Sequence, residues 1–224
     1  MTARSLPKAR PRLWLATRNP KKALELRRLL PERILVRSLA DVEEEIRPDL
    51  PEDQPDFAGN ARRKAEGTAS FLRSRPSVLD AGEGAARVLI LADDSGLCID
   101  ALDGAPGVRS ARYAGEGAGD EALCAKVLEA LRGLPPERCG ARFTCHLHAC
   151  DLRGAEVFSL SADCEGRIAA SPAGVSGFGY DPIFLPGEAP TRSFAELTPV
   201  EKDALSHRGR ALRRAIPLIL EYLS

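Results

Sequence analysis

The sequence predicts an α/β protein, on three observations. An apolar run from Val88 to Ala92 stops at Asp93-Asp94-Ser95-Gly96, as a buried strand does where it ends in a polar site. Arg12 to Thr17 (RLWLAT) reads as a short core strand that passes through a polar turn into ALELRRLL, where Ala23, Leu26, Leu29 and Leu30 recur at helical spacing. Arg142 to Leu152 (RFTCHLHACDL) alternates, with Phe143, Cys145, Leu147 and Ala149 on one face and Thr144, His146, His148 and Cys150 on the other. Strand ends in α/β sheets open into ligand crevices, so the acidic stretch at 93–94 is the first place to look for chemistry. Adjacent carboxylates cannot both be buried unpaired and therefore call for cations. One reading is a divalent-metal and general-base site; the other is a polar loop after a core strand.

The remaining elements follow in order. In the turn Thr17-Arg18-Asn19-Pro20-Lys21-Lys22, the free N–H groups of a helix start join the donors of Thr17, Asn19 and Lys22, a set able to hold a phosphate tail. The same residues make an ordinary helix start, with Asn19 as cap and Pro20 in the first position. Ile34 to Val36 is a second short strand. An acidic, proline-rich stretch from Asp41 to Asp56 reads as solvated loop, one of whose carboxylates could join a metal site. Phe57 to Leu72 is a helix with Phe57, Ala61, Ala65, Ala69 and Leu72 on its apolar stripe and Arg62, Arg63, Lys64 and Glu66 elsewhere. Ser74 to Arg87 lacks periodicity and reads as a surface loop.

Past the acidic pair, Gly104, Pro106 and Gly107 mark a tight connection. Arg109, Arg112 and Tyr113 follow it and could shape a pocket or cover one. Asp120 to Leu131 is a helix with Asp120 as cap and Leu123, Val127, Leu128 and Leu131 facing inward. Glu156 to Cys164 pairs with the alternating strand as a hairpin across Arg153-Gly154. His146 and His148 could bind zinc, but two histidines fall short of a zinc ligand set, and a solvated sheet face is the simpler expectation. In Ser176-Gly177-Phe178-Gly179-Tyr180-Asp181, glycines permit close backbone approach and the aromatics offer a stacking face for a base, or a turn with core aromatics. Thr198-Pro199-Val200-Glu201 carries a capped helix start, with Lys202 in its first turn. Ser206-His207-Arg208-Gly209-Arg210 interrupts the pattern, which resumes from Ala211 to Leu223 with Pro217 as a kink. His207 and Arg208 alone read as helix surface.

Composition bounds the function. The 224 residues suit one large domain or two small lobes, and we expect a loose tail over residues 1–11 and a single domain over 12–224. Lysine plus arginine equals aspartate plus glutamate at 32 each, which argues against coating of nucleic acid while allowing a local basic pocket. No apolar run nears the ~20 residues of a membrane helix. The basic N-terminus lacks a secretory apolar core, and the six cysteines form no C-x-x-C pair, so reduced thiols and a cytoplasmic location are expected.

Five ordered motifs together resemble the inosine triphosphate pyrophosphatase family: LATRNPKKALELRRLL, FAGNARRKA, LADDSGLCIDALDGAPGVRSARYAGE, GFGYDPIF and FAELTPVEKDALSHRGRAL. They span Leu13 to about Leu212. The resemblance implies an elongated, two-lobed α/β fold around a long mixed sheet, with the active site in the central cleft, and a homodimer. It implies magnesium-dependent cleavage of ITP, dITP and XTP to the monophosphate and pyrophosphate. Asp94 matches the family's catalytic base and metal-linked aspartate, Asp93 its neighbour in the metal cluster, and Glu52 a metal ligand for which Asp53 is a rival. Thr17, Arg18, Asn19, Pro20, Lys21 and Lys22 match the triphosphate loop, Lys64 a lysine near the phosphates, and Ser95 a substrate contact. Phe178, Gly179, Tyr180 and Asp181 match the loop around base and sugar; Lys202, His207 and Arg208 match the remaining nucleotide contacts.

The sequence departs from the family pattern in three places. Arg18 stands where the phosphate loop usually has glycine, Gly59 where a glutamate is frequent, and the 74–87 loop is long. Other readings are a pyrophosphatase for other modified nucleotides, a nucleotide sensor whose chemistry those departures have cost, and a zinc enzyme using His146 and His148.

Overall fold

The computed structural model describes residues 10–80 and 87–224. Residues 1–9 of the expected tail, residues 81–86 of the expected loop, and the side chains of Lys21 and Asp80 lie outside the described part. The elements in order are β1 (Arg12–Leu15), α1 (Pro20–Leu29), β2 (Leu35–Ser38), α2 (Phe57–Ser74), α3 (Pro76–Asp80), β3 (Val88–Ile99), α4 (Asp120–Ala130), β4 (Gly140–Asp151), β5 (Glu156–Ile168), β6 (Phe184–Pro186), α5 (Pro199–Leu205) and α6 (His207–Tyr222). The six strands form one mixed sheet in the order β2-β1-β3-β4-β5-β6. β1 runs parallel to β2 and to β3, and the other pairs are antiparallel.

The decisive feature is the length of β3. The sequence suggests a strand that ends at Asp93; instead β3 continues through both aspartates to Ile99, fully paired with β4. It is β1 that stops: its last pair with β3 is Leu15 with Leu91. From Ala92 to Gly96, β3 therefore has a neighbour strand on one side only, and the turn after β1 lies beside that edge. The crevice arises where a parallel neighbour ends, as at other openings of α/β sheets.

Both faces of the sheet are covered. Leu13, Leu15, Leu89, Leu91, Leu147 and Ala149 pack against Ala23 and Leu26 of α1 and Ala211, Ala215 and Ile219 of α6. Trp14, Ile90, Ala92 and Cys150 on the other face pack against Ala65, Ala69 and Leu72 of α2. The second face of β4 is solvated only in part: α2 covers His148 and Cys150, which are buried, while Thr144 and His146 are half-buried. A separate core fills the far end, where Leu97, Ile99 and Phe143 meet Phe184, Phe194 and α4 residues Leu123 and Val127. These two ends give the expected two-lobed form.

Local signals at the helix starts are mostly as read. Thr198 caps α5, its side chain accepting from the Glu201 N–H at 3.3 Å. At α4 the cap is Gly119, with Asp120 inside the first turn. The stretch 206–210 does not break a helix but begins one: Ser206 caps α6, accepting from the Gly209 N–H at 3.1 Å. The expected loop at 74–87 contains α3, and its first residue belongs to α2.

Candidate active site

Strand alternation sends successive side chains to opposite faces, so Asp93 and Asp94 make their hydrogen bonds with different partners. Asp93 lies on the face with Leu89 and Leu91, toward α1 and α6. Asp94 lies on the face with Ile90 and Ala92, toward α2. Of the carboxylates expected to hold a metal, Asp94 and Glu52 meet at Lys64, while Asp93 hydrogen-bonds on the opposite face of the strand.

On the α2 side, Asp94 Oδ1 accepts from Lys64 Nζ at 2.7 Å and Asp94 Oδ2 from Asn60 Nδ2 at 3.1 Å. Lys64 Nζ also donates to Glu52 Oε1 at 2.8 Å, so one ammonium bridges two carboxylates. Burial followed by the Glu52 charge pushes the Asp94 carboxyl above the usual aspartate range, although Lys64 and Asn60 oppose the shift. For Lys64, burial lowers the pKa, but Asp94, Asp93 and Glu52 outweigh it and hold the ammonium charged. The Glu52 backbone is pinned from another direction, its carbonyl accepting from Arg112 Nη2 at 2.7 Å. Asp53, the rival ligand, faces solvent and pairs with Arg63.

On the α1 and α6 side the charge is reversed. Asp93 Oδ2 accepts from Lys22 Nζ at 2.7 Å and from Arg208 Nη2 and Nε at 2.9 and 3.2 Å. Arg208 Nη2 also donates to Ser95 Oγ at 3.0 Å. Burial would raise the Asp93 pKa, but Lys22 and Arg208 override it and hold the carboxyl well below the ordinary range. Counting these side chains alone, the Asp93 side carries two cations and one anion, and the Asp94 side one cation and two anions.

A cavity of about 550 Å³ opens beside this strand, lined among others by Lys22, Ser95, Gly96, Phe178, Lys202 and Arg208. Asp94, Lys64 and Glu52 are not in its wall; they lie across β3, and Gly96 is the residue of their face that borders it. His207 also lines the cavity. Its ring stacks on Phe143, with centroids 4.7 Å apart and planes 10° from parallel. Burial, then Arg208 and Lys202, push its pKa well below the usual value, so it is neutral at pH 7. Its Nδ1 is buried without a partner among the described residues.

The glycine-flanked loop divides its aromatics between two tasks. Phe178 is 42% exposed at the cavity, with Lys202 Nζ 4.8 Å from its ring centroid. Tyr180 is no stacking face: it is buried, and its hydroxyl donates to the Ser110 carbonyl at 2.8 Å. Asp181 fixes the loop, accepting from the Phe178 N–H at 2.7 Å and from Lys202. Gly177 has φ of +85°, and a Cβ there would collide with the Asp181 carboxylate.

Residues 13–218 match the sequence model of the Ham1 family. The chain belongs to the Ham1 family. Among its relatives, a dITP/XTP pyrophosphatase of Rhodopirellula baltica is 44% identical over 209 residues, covering 93% of this chain and 92% of that protein. One of Bacillus subtilis is 40% identical over 206 residues, covering 92% and 95%. Of solved structures, a HAM1 protein from Coxiella burnetii superposes with a TM-score of 0.79 at 36% identity, covering 94% of this chain and 98% of that one. A nucleoside-triphosphatase, dITP/XTP pyrophosphatase, from Mycobacterium abscessus gives 0.70 at 41%, covering 92% and 99%.

Within this Ham1 chain, Thr17 to Lys22, the segment expected to hold the phosphates, lies between β1 and the first turn of α1. Pro20 begins α1, and Thr17 Oγ1 accepts from the Asn19 N–H at 3.2 Å. Arg18 turns away to the acidic stretch, donating to the Pro48 carbonyl at 2.7 Å. Gly59, the second departure from the pattern, sits in the first turn of α2 and donates to the Asp56 cap at 2.7 Å. His146 and His148 gain no third ligand: among the described residues no group of three or more His, Cys, Asp or Glu could hold a metal. His146 instead contacts Ser159 and Ser161, each at 2.8 Å.

Sequence reasoning missed Asn60 and misplaced Lys64 outside the buried face of α2. Both continue the stripe at i and i+4 before Ala61 and Ala65, and both are buried. A lysine and an amide at inward positions of an otherwise alanine-rich face were the available signal.

Proposed function

We propose that this chain hydrolyses the deaminated purine nucleoside triphosphates ITP, dITP and XTP to the monophosphate and pyrophosphate, clearing them before misincorporation into DNA and RNA. The observation that carries the reading is the division of charge across β3, in a member of a family whose relatives are named dITP/XTP pyrophosphatase. A triphosphate brings about four negative charges, and charge stabilisation dominates phosphoryl transfer. Lys22, at the start of α1 and tied to Asp93, supplies a fixed positive charge for the phosphates. Lys202 supplies another at the cavity mouth.

Asp94 takes the proton from a water that attacks the α-phosphorus. The new P–O bond forms as the bond to the α–β bridging oxygen breaks, and pyrophosphate leaves with that electron pair. Lys64 and Asn60 hold the two Asp94 oxygens in place, as a positioned base requires. Magnesium belongs to this reading. Asp94 and Glu52 present oxygen donors converging on one point, now bridged by Lys64, and magnesium takes few protein carboxylates and completes its shell with water and phosphate oxygens. Asp93 is set apart from this pair by projecting to the other face of β3, where its Oδ2 pairs with Lys22 and Arg208. Bound there, magnesium would supply electrostatic stabilisation of the phosphate oxygens.

Base selection falls to the other side. Arg208 and backbone N–H groups can donate to the 6-oxo group of hypoxanthine or xanthine, and would be left unpaired opposite the 6-amino group of adenine. Committed donors of this kind discriminate by roughly 10⁴-fold. The reading includes a homodimer, taken from the family resemblance, and action in the cytoplasm. A panel of nucleoside triphosphates with magnesium, scored for monophosphate and pyrophosphate, tests it. ITP and XTP should be turned over far faster than ATP; release of single phosphates, or equal kcat/KM for ATP and ITP, contradicts it.

A further inference from the structure

Asp93 is only 4% exposed and Arg208 only 8%, so their contact is made away from bulk water. A buried guanidinium has a single orientation when its donors are fixed by geometry. Here Nε and Nη2 both bind Asp93 Oδ2, and Nη2 reaches Ser95 Oγ as well. One edge of Arg208 is thereby fully used. The other nitrogen, Nη1, has no partner among the described residues, in a side chain that lines the cavity. The guanidinium carbon stands 5.9 Å from the centroid of Phe178, the exposed aromatic ring of the same cavity.

We propose that Asp93 is a positioning residue for purine selection: it fixes the Arg208 guanidinium so that its remaining edge is a committed donor to the 6-oxo group. This rests on the proposed function, in that it takes ITP and ATP as the preferred and rejected substrates. A donor free to swing could turn toward water or a phosphate and reject adenine less. Asp93 thus acts through Arg208, with Ser95 as a lesser support. Lys22, on the same carboxylate oxygen, completes the cation pair that keeps Asp93 charged.

The readout is the ratio of kcat/KM for ITP to that for ATP. Phosphate attraction and the fraction of active enzyme are common to both nucleotides and cancel, so a merely structural role does not move it. Wild type is measured first; no preference for ITP would remove the functional reading and this inference with it. Asp93→Asn keeps the shape but not the charge, and we expect the ratio to fall at least ~10-fold in protein that melts cooperatively. An unchanged ratio in such protein, with wild type selective, overturns the positioning role while leaving the pyrophosphatase reading intact. Should Asp93→Asn fail to fold, Asp93→Glu decides, since it keeps the charge but moves the carboxylate that fixes Arg208: a lower ratio supports the proposal, and an unchanged ratio overturns it.

Discussion

Asp93 and Asp94 are chain neighbours of the same type, both buried, on the same strand, yet they occupy opposite electrostatic worlds. Toward α1 and α6, Asp93 is outnumbered by Lys22 and Arg208, and its pKa falls. Toward α2, Asp94 shares one lysine with Glu52, and its pKa rises. The first carboxylate is locked as a permanent counter-ion that organises cations. The second shares its one cation with another carboxylate, which leaves that side with a net negative charge. A β-strand separates two environments by a single residue because its side chains alternate. The end of β1 then leaves the edge of β3 open between them.

The largest effect that would sharpen this contrast is expected from Lys64→Met. It leaves Asp94 and Glu52 facing each other without their shared cation, and removing one partner of a buried ion pair costs ~3–5 kcal/mol. Turnover of ITP should drop ~100-fold or more through kcat; a loss confined to KM would place Lys64 in substrate capture rather than in organising Asp94.

Gly96 tests the border between the two sides. A Cβ there would run into the Gly107 carbonyl oxygen and Ser110 Oγ, the hydroxyl that accepts from the Leu97 N–H. Gly96→Ala should therefore destabilise the fold by ~1–3 kcal/mol, as overpacking does, measurable by urea denaturation. Unaltered stability would mean that the 107–112 segment is free to retreat.

The smallest effect concerns pH. The folded-state pKa of His207 is depressed by burial and by Arg208 and Lys202. Below the ordinary histidine value of ~6.5, the unfolded chain takes up a proton that the folded chain does not, so stability is lost as pH falls through that point. Between pH 7.5 and 5.5, wild type should lose more stability than His207→Phe, which keeps a ring against Phe143. The difference should be at most ~1.4 kcal/mol per pH unit below ~6.5. Parallel pH profiles for the two proteins would show that His207 is protonated inside the fold.

Much of this site was legible in the sequence, and the failures share a cause. The turn Thr17 to Lys22, the acidic pair and the 177–181 loop were found because polar residues interrupt apolar runs there. What a one-dimensional reading lacked was the neighbour. An apolar run ending at Asp93 looked like the end of a strand, whereas β3 continues and β1 ends; only the sheet pairing reveals it. Lys64, His207 and Arg208 read as surface because charge normally seeks water, and each is buried by partners or rings more than ten residues away. For Tyr180 both a base platform and a core aromatic were open readings, and only the fold decides: a carbonyl 70 residues earlier takes its hydroxyl.

The division of labour between the two aspartates is tested most directly by Asp94→Asn, with ITP affinity measured by calorimetry in EDTA and turnover measured with magnesium. The account predicts a dissociation constant within about threefold of wild type, since the residues assigned to hold the nucleotide lie on the other face of β3, and a kcat lower by ~10²–10⁴-fold, the usual contribution of a general base. Turnover near the wild-type rate would contradict it.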